Sequence, residues 1–347
     1  MKLLPIFLSR KWQKRDEPEM CKKLYHVVLL SLLGTLIVFM VSACNNQTAD
    51  TVTKFDSSFS TANCRVIKYA MGKTCVSINP QRTVVLGSLD YALSLGVKPI
   101  GSDGIDNKAY LKDKIAGIEN IGAINAPSLE KILALKPDLI LGGDFLDGSY
   151  SVLSSIAPTI LIPFKHSGDW KQFFRRYAQV LGKTAESEQV MNDYYARLEE
   201  FKQQIGNQAN QLKVSIVRVY PNQVSLYLKD SFCGTIVADA GLSRASSQNL
   251  NAEEAKTLFG TEIQYTISRE KLQSADGDVI FLWSYGHQNA IAQQSQAQKE
   301  KLKADPLWST LKAVQQNQVY EVPEYWFGDG PIAANAVIDD LFKYLVK

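Results

Sequence analysis

The sequence predicts an α/β protein made of two similar lobes that flank one long helix. Short apolar strands alternate with short helices in both halves of the chain, which is typical of a mostly parallel sheet with helices on its faces. A helix-then-strand phrase also occurs twice without a gap, as SLEKILALKPDLIL from Ser128 and as SREKLQSADGDVIF from Ser268. Between the halves lies a segment without strand signals. The alternative to a true repeat is a chance recurrence of sequence patterns that are common in α/β proteins.

The first 43 residues have the composition of an export signal. Lys22 and Lys23 precede an apolar run over residues 24–43 that ends in small residues. The letters VSAC at 41–44 resemble the lipobox of bacterial lipoproteins, in which cleavage leaves a lipid-modified N-terminal cysteine, here Cys44. An uncleaved membrane anchor is the alternative, because twenty residues without Asp, Glu, Lys or Arg can span a bilayer. Both interpretations place the rest of the chain outside the cytoplasmic membrane.

The charge balance changes once this signal is set aside. The chain has 347 residues and a net charge of +3, but residues 1–43 hold seven basic and three acidic residues, which leaves 31 basic and 32 acidic residues in the body. A neutral body gives no electrostatic support for nucleic-acid binding. Residues 44–62 are polar and predict a flexible tether. A translation start at Met20 would give the signal an ordinary length.

Two cysteines bracket the first predicted structure of the body. Cys64 and Cys75 enclose CRVIKYAMGKTC, which predicts two short strands around a Met71-Gly72 turn. An oxidising compartment favours a disulfide between them, and closing a loop of this size stabilises by about 3 kcal/mol in the chain-entropy model. Two unpaired thiols are the alternative. Cys233 is predicted to be a small buried residue.

The first lobe is predicted over residues 63–168. Gly96 ends its first helix, Ser128 caps its second, and Pro137 ends that second helix. The predicted elements are the hairpin at 64–79, strands at 83–86, 97–101, 139–141 and 159–163, and helices at 89–95 and 129–135.

A connecting helix is predicted over residues 169–210. In its second half, apolar residues recur at three- and four-residue steps and form one stripe on a long helix. Twenty-odd residues at ~1.5 Å each reach roughly 35 Å, about the width of a small domain. The stripe consists of Met191, Tyr194, Leu198, Phe201 and Ile205.

The second lobe is predicted over residues 211–347, where the alternation resumes. Its first two strands are predicted to form a hairpin across Pro221-Asn222. The predicted strands lie at 214–219, 224–228, 279–283 and 319–322, and the helices at 234–240, 268–275, 306–314 and 331–346.

The sequence contains no recognisable signature of catalysis. The patterns G-x-S-x-G, H-E-x-x-H, G-x-x-x-x-G-K and C-x-x-C are all absent. The chain has three histidines, and His166 and His287 alone cannot build a histidine-type metal site. The chain is therefore predicted not to be an enzyme, to need no cofactor and to ligate no metal directly.

Polar and aromatic residues follow several predicted strands, where the ligands of open α/β sheets bind. Those of the second lobe are rich in Tyr, Trp and Arg, which stack on planar ligands and hold anions. Core packing is the alternative for any single aromatic residue. The candidate ligand-binding residues are Ser88, Lys165, Arg218, Tyr220, Tyr227, Trp283, Tyr285 and Trp326.

A set of phrases in a fixed order carries a family resemblance. After the lipobox come CRVIKYAMGKT, NPQRTVVLGSLDYALSLGVKPIG, IENIGAINAPSLEKILALKPDLILG, VSLYLKDSFCGTIVADAGL, ISREKLQSADGDVIF and DPLWSTLKAVQQNQVYEVPEYWFGDGPIAANAVIDDL. This order resembles the periplasmic binding proteins of iron–siderophore ABC importers over residues 64–347. It is most similar to the branch that includes ferric-citrate and ferric-hydroxamate binders, which is related to the vitamin B12 binder.

The resemblance implies two Rossmann-like lobes joined by one long rigid helix, with only slight closure on binding. It implies a monomer, lipid-anchored to the cytoplasmic membrane on its periplasmic side, that hands a ferric siderophore to an ABC permease dimer. By motif position, Glu130 and Glu270 would dock onto permease arginines. First-turn acids favoured by the helix dipole are the alternative for both. Arg218 is the predicted charge-assisted contact to the chelate, with Lys165 second.

Other functions remain open at this stage. The same fold holding cobalamin or haem would also use an aromatic wall, and direct Fe(III) binding would use the phenol oxygens of Tyr220, Tyr227, Tyr285 and Tyr325. A membrane-anchored α/β enzyme would need a general base, and no acid or histidine has a convincing partner. Family members often carry several cleft arginines. Because one is found here, a strongly anionic ligand such as ferric citrate is disfavoured.

Overall fold

The computed structural model describes residues 60–61, 64–284 and 290–346. These residues fall within one compact unit of the chain. The predicted signal peptide, the predicted lipidation site Cys44 and the candidate residue Tyr285 lie outside the described residues. None of the described helices combines the length and the apolar character that crossing a bilayer requires.

A three-stranded antiparallel sheet opens the described chain. Its strands are β1 (Ser60–Thr61), β2 (Cys64–Tyr69) and β3 (Gly72–Ser77). Tyr69 pairs with Gly72, so the turn begins one residue before the predicted Met71-Gly72 pair and Gly72 opens β3. Cys64 and Cys75 form the predicted disulfide, with their Cα atoms 5.6 Å apart.

The first lobe contains a five-stranded sheet in which every pairing is parallel. Its strands are β4 (Thr83–Val85), β5 (Gly101–Ser102), β6 (Glu119–Asn120), β9 (Leu139–Gly143) and β10 (Thr159–Ile162), in the order β10-β9-β4-β5-β6. The remaining elements are α1 (Leu89–Ser94), α2 (Leu129–Leu135), α3 (Tyr150–Ile156) and a small antiparallel pair, β7 (Gly122–Ala123) and β8 (Ala126–Pro127). The predicted strand at 97–101 starts only at Gly101, because Pro99 has no N–H to donate to a ladder.

The segment that follows is two helices rather than the single helix predicted over 169–210. The first is α4 (Trp170–Leu181), which ends at Gly182 with a left-handed φ of 71°. Glycine adopts that conformation without a steric penalty, so the chain turns here. The second is α5 (Thr184–Ile205), whose predicted apolar stripe is buried along its whole length.

The second lobe contains a mixed sheet. Its strands are β11 (Lys213–Val219), β12 (Val224–Tyr227), β13 (Ser243–Arg244), β14 (Gln264–Ile267), β15 (Val279–Ser284) and β16 (Val319–Glu321). The path is β14-β12-β11-β15-β16 with β13 beside β11, and only the β12 pairings are antiparallel. The helices are α6 (Phe232–Asp239), α7 (Ala252–Phe259), α8 (Ala290–Lys303), α9 (Lys312–Gln315) and α10 (Pro331–Leu345). The predicted β11–β12 hairpin is confirmed, and the predicted helix at 268–275 is a 3₁₀ helix, Arg269–Ala275.

The two copies of the repeated phrase occupy equivalent places in the two sheets. In each lobe the strand of the phrase, β9 or β15, lies parallel to the first strand of that sheet, β4 or β11. The aspartate of the phrase holds the start of that first strand. Asp138 accepts hydrogen bonds from the backbone N–H groups of Gln81 and Arg82 at 2.7 and 3.0 Å, and Asp278 accepts one from Lys213 at 2.8 Å.

A shared layer of helices joins the two separate sheets. One buried cluster contains Val85 of the first sheet, Phe281 of the second, and Phe174, Phe201 and Ile338 of α4, α5 and α10. The opposite faces of the two sheets are covered by two further clusters, one in each lobe. The fold is therefore the predicted pair of α/β lobes, packed on a common helical core.

Replacing the repeated aspartates should lower stability without touching the cleft. We expect Asp138→Ala and Asp278→Ala each to reduce the free energy of unfolding by about 1–2 kcal/mol, because backbone N–H groups at a strand start lose their acceptor. Urea unfolding of the mature domain measures the change. The control is Asp193→Ala on the exposed face of α5, which should stay within about 0.5 kcal/mol of wild type. Equal stability of all three variants would contradict this role for the repeat.

Candidate functional site

Two adjoining cavities lie between the lobes. Their volumes are about 530 and 440 Å³, and Gly87, Phe327, Gly328 and Asp329 line both. The walls come from segments that follow the carboxyl ends of β4, β5, β9 and β10 in the first lobe and of β15 and β16 in the second. This is where ligands of open α/β sheets bind, and the two cavities together are called the cleft below.

Arg218 lies behind one wall of the cleft, enclosed by aromatic rings. Its guanidinium carbon is 4.0 Å from the ring centre of Tyr220, 4.3 Å from that of Trp283 and 4.6 Å from that of Phe327. One of its Nη atoms donates to the hydroxyl of Tyr227 at 2.7 Å. Only 5% of the residue is exposed. Cation–π attraction to several rings offsets part of the cost of removing this charge from water.

The rings around Arg218 connect it to the cleft. Trp283 and Phe327 are stacked with their centres 5.7 Å apart, and both line the larger cavity. Tyr227 packs edge-on against Trp283, and burial raises the pKa of its hydroxyl well above the ordinary value. Tyr220 donates to the side chain of Gln264 at 3.0 Å. The structure thus brings together four predicted residues, Arg218, Tyr220, Tyr227 and Trp283.

Two predicted ligand residues belong to the core instead. Ser88 is fully buried, and its hydroxyl donates to Tyr177 at 3.3 Å. Trp326 is also fully buried, stacks on Phe281 at 4.3 Å and donates its indole N–H to Asp340 at 2.8 Å. Both follow strand ends, as predicted, but neither lines the cavities of the cleft. Their burial does not support a contact with a ligand in the cleft.

Lys165 and an exposed phenylalanine lie at the smaller cavity. Lys165 follows β10, is exposed and lines this cavity. Its ammonium group is the second predicted contact to the chelate. Phe145 follows β9, is 49% exposed and packs edge-on against Phe164, 6.0 Å away. The first lobe therefore adds apolar surface opposite the aromatic wall of the second.

An ion pair that the strand-end rule does not predict crosses the cleft. Lys108, from the first lobe, lies 3.2 Å from a carboxylate oxygen of Asp329, from the second. Both residues line the larger cavity, and both are partly shielded from water. Neither directly follows a predicted strand, so the strand-end rule did not find them. The only available signal was the Gly-Asp-Gly-Pro sequence at 328–331, which marks a turn into a helix.

A carboxylate of the first lobe caps the last helix of the second. Asp90, in α1, accepts hydrogen bonds from the backbone N–H groups of Ile332 and Ala333 in the first turn of α10, at 3.0 and 2.9 Å. The residue at the N-cap position is Gly330, which has no side chain to do this. A Cβ at Gly330 would lie 2.4 Å from Asp90 Oδ1. The cap fixes the turn that carries Asp329 and Phe327 into the cleft.

The buried Asp90 carboxylate has an unusual acidity. Burial raises its pKa to about 6, and the negative charge of Asp329 adds to the rise. The two N–H bonds from α10 lower the pKa but do not offset these effects. Ionised Asp90 is therefore disfavoured in the folded protein relative to the unfolded chain.

Two of the four phenols considered for direct Fe(III) binding, those of Tyr227 and Tyr325, are poorly suited to ligate the metal. Tyr325 donates to Asp340 at 2.8 Å, and burial raises its pKa, as it does that of Tyr227. Both phenols therefore resist the deprotonation that an Fe(III)–tyrosinate bond requires. In the described part of the chain, no group of three or more His, Cys, Asp and Glu residues has the arrangement of a metal site.

The two glutamates of the repeated phrase are exposed. Glu130 lies in the first turn of α2, whose N-cap Ser128 accepts from the backbone N–H of Lys131. Glu270 lies in the first turn of the 3₁₀ helix of the second lobe, where its own backbone N–H and Ser268 lower its pKa. Each lobe therefore presents the glutamate of its copy of the phrase to solvent.

Comparisons with known proteins agree with this architecture. A family model described as periplasmic binding protein matches residues 85–326. The probable siderophore-binding lipoprotein YfiY of Bacillus subtilis is 32% identical over 93% of this chain and 98% of its own length, and the Fe(3+)-citrate-binding protein YfmC of the same organism is 28% identical over 86% and 89%. The crystal structure of Staphylococcus aureus SirA complexed with staphyloferrin B is 28% identical, with a TM-score of 0.70 over 81% of this chain and 98% of that one.

The titration of Asp90 should appear in the pH dependence of stability. Because folding raises its pKa from 3.8 to about 6, the stability that protonated Asp90 contributes is complete below pH 3.8 and is lost as the pH rises through about 6. We expect the wild type to lose about 3 kcal/mol over this range relative to Asp90→Asn, which does not titrate. Urea unfolding at a series of pH values measures the difference. Asp103 and Asp340, whose pKa values burial also raises, are present in both proteins. Parallel curves for the two proteins would contradict the assignment.

Proposed function

The chain belongs to the periplasmic binding protein family, and from this premise we propose that it captures a ferric siderophore between its two lobes and delivers it to the permease of an ABC importer. The observation that carries the proposal is the aromatic enclosure of Arg218 beside a cleft that both lobes line. The curated relatives named above are siderophore- and ferric-citrate-binding proteins, which supports iron chelates as the ligand class.

Recognition would involve the chelate rather than the bare metal. Fe(III) in a siderophore is wrapped in chelator oxygens, and these carry the charge that a protein can contact. Trp283 and Phe327 would pack against the body of the chelate, while Arg218 polarises them from behind and Lys165 reaches the rim. Because the ligand would touch both lobes, binding would favour the arrangement in which the lobes approach. No bond is broken in such a cycle.

Delivery would use surfaces outside the cleft. Glu130 and Glu270 are exposed on different lobes, so a permease dimer with arginines at matching positions could hold both lobes at once. We keep Cys44 as the proposed lipid anchor and the periplasmic face of the cytoplasmic membrane as the proposed location. The protein would be a monomer that needs no enzymatic cofactor.

Cobalamin and haem remain the alternative ligands for this fold. Both present a flat macrocycle that an aromatic wall accommodates. A panel of ligands on one protein preparation separates these possibilities from the ferric chelates.

Fluorescence should report cleft occupancy through Trp283. We expect ferric siderophores, but not cobalamin or haem, to quench the tryptophan emission of the mature domain at micromolar or lower concentration. Trp283→Phe should lose most of the quenching, since this ring lines the cleft. Trp308→Phe is the matched control, because Trp308 lies in the outer cluster of the second lobe. Saturable binding of cobalamin or haem alone would overturn the siderophore assignment, and quenching that persists in Trp283→Phe but not in Trp308→Phe would place the ligand elsewhere.

The docking role of the two glutamates can be separated from binding. We expect Glu130→Ala with Glu270→Ala to leave the fluorescence titration unchanged and to abolish uptake of radioactive iron by cells that depend on this protein. The reason is that both side chains are exposed and neither lines the cleft.

The matched control for this pair removes two acids from the exposed face of α5, as Glu188→Ala with Glu200→Ala. Uptake should persist in this control. Loss of ligand binding in the docking variant, or normal uptake with it, would refute the docking assignment.

A further inference from the structure

We propose that Asp329 makes the cleft select ferric chelates of neutral or positive overall charge that carry an N–H or ammonium donor, and reject polyanionic chelates. This inference rests on the proposed function. It adds a specificity-determining residue and a ligand charge class to it.

Charged side chains of both signs line the cleft. Among the described lining residues, two lysines face four carboxylates. Arg218 behind the wall and Lys256, which pairs with Glu262 at 2.9 Å, balance these carboxylates over the lining as a whole. The negative charge is instead concentrated around Lys108, where Asp329, Asp90 and Asp103 meet, and this part of the site repels a ligand that brings several negative charges into it. The charged lining residues are Lys108, Lys165, Asp103, Glu262, Glu324 and Asp329.

Asp329 lies where the two cavities of the cleft meet. It lines both cavities, so a ligand in either one lies near its carboxylate. Its Oδ1 atom is shielded from solvent and accepts no hydrogen bond from any residue in the part of the chain that the structure describes. Because the Asp329 side chain as a whole is 28% exposed while this oxygen has no donor, a positive group in the cleft stabilises the carboxylate mainly through its charge.

Lys108 does not neutralise the negative charge around Asp329. Its ammonium pairs with Oδ2 of Asp329, but Asp90 and Asp103 also act on it. Burial lowers the pKa of Lys108, and Asp329, Asp90 and Asp103 together raise it above its ordinary value. One ammonium thus serves three carboxylates, and the junction keeps a net negative charge toward the cleft.

Ferric chelates differ in net charge, so negative charge around Asp329 would favour some classes of chelate over others. Three hydroxamates neutralise Fe(III), whereas three catecholates leave a highly charged anion and citrate complexes are also anionic. A hydroxamate chelate with a free ammonium, or with the weaker positive end of an amide N–H, places positive charge near Asp329 without adding negative charge. The aromatic wall of Trp283 and Phe327 suits the apolar arms of such a chelate.

The test uses ferric chelates that differ mainly in charge. Ferric desferrioxamine B ends in a free ammonium, its N-acetyl derivative ends in a neutral amide, and a ferric tris-catecholate is an anion. Isothermal titration of the mature domain measures Kd for each. We expect the ammonium form to bind about fivefold more tightly than the acetylated form, the upper range for a partly exposed charge pair, and the anion to bind most weakly.

Variants test whether Asp329 causes the preference for the ammonium form over the acetylated form. In Asp329→Asn the ratio of the two Kd values should fall to about one, and in Lys108→Met, which frees Asp329 of its partner, it should widen. The control Glu188→Gln removes the same charge from the surface of α5 and should keep the wild-type ratio. Added salt should shrink the wild-type ratio, which tests the electrostatic origin without any substitution.

The outcomes separate this inference from the proposed function. If the wild type binds no ferric chelate at all, the proposed function fails and the inference fails with it. If ferric chelates bind but the anion binds as tightly as the ammonium form, or the ratio is unchanged in Asp329→Asn, the charge selection is refuted while siderophore binding stands. Should Asp329→Asn not fold, Lys108→Met and the salt series decide, and a ratio that is unchanged in both overturns the inference.

Discussion

The hydrogen bonds from α10 to Asp90 are the contact on which the cleft depends. A carboxylate 242 residues before Ile332 in the sequence holds the first turn of the last helix, and this turn follows directly on Phe327, Gly328 and Asp329. The register between the lobes is thereby defined at the floor of the cleft, where it matters for a ligand. The contact also has a cost in stability, because it buries the charge of Asp90 close to a second carboxylate, Asp329. Its role is to place the turn, and the shared helical core supplies the stability around it.

The two walls of the cleft use opposite means to handle charge. In the second lobe, Arg218 is separated from the cleft by Trp283 and Phe327, so its field reaches a ligand through polarisable rings. At the junction, Asp329 and Lys108 face the larger cavity directly. A chelate that fits between these walls meets a broad apolar surface with charge placed at two ends. Such an arrangement distinguishes ligands by the position and sign of their charge more than by their size.

The architecture could be predicted from the sequence because the spacing of apolar residues and the repeated helix-then-strand phrase are both visible in the sequence. The aspartates Asp138 and Asp278 recur because each lobe needs the same strand start held, and the apolar stripe of α5 recurs because one face is buried. The break at Gly182 was missed because no strand signal separates the two helices on either side of it. Family resemblance, rather than periodicity, supplied the ligand class and the docking glutamates.

The candidate site was only partly predictable for a geometric reason. The strand-end rule gives the edge of the sheet at which a residue lies, but the segment after the strand sets the direction of each side chain, and here that segment is a 3₁₀ helix, Glu324–Phe327. Phe327 and Trp326 are adjacent, yet one lines the cleft and the other lies on Phe281 in the core. Lys108 and Asp329 lie on loops, where no period applies. The common helical layer has a consequence of its own: we expect the two lobes to unfold together, since either lobe alone would expose its part of a core that belongs to both.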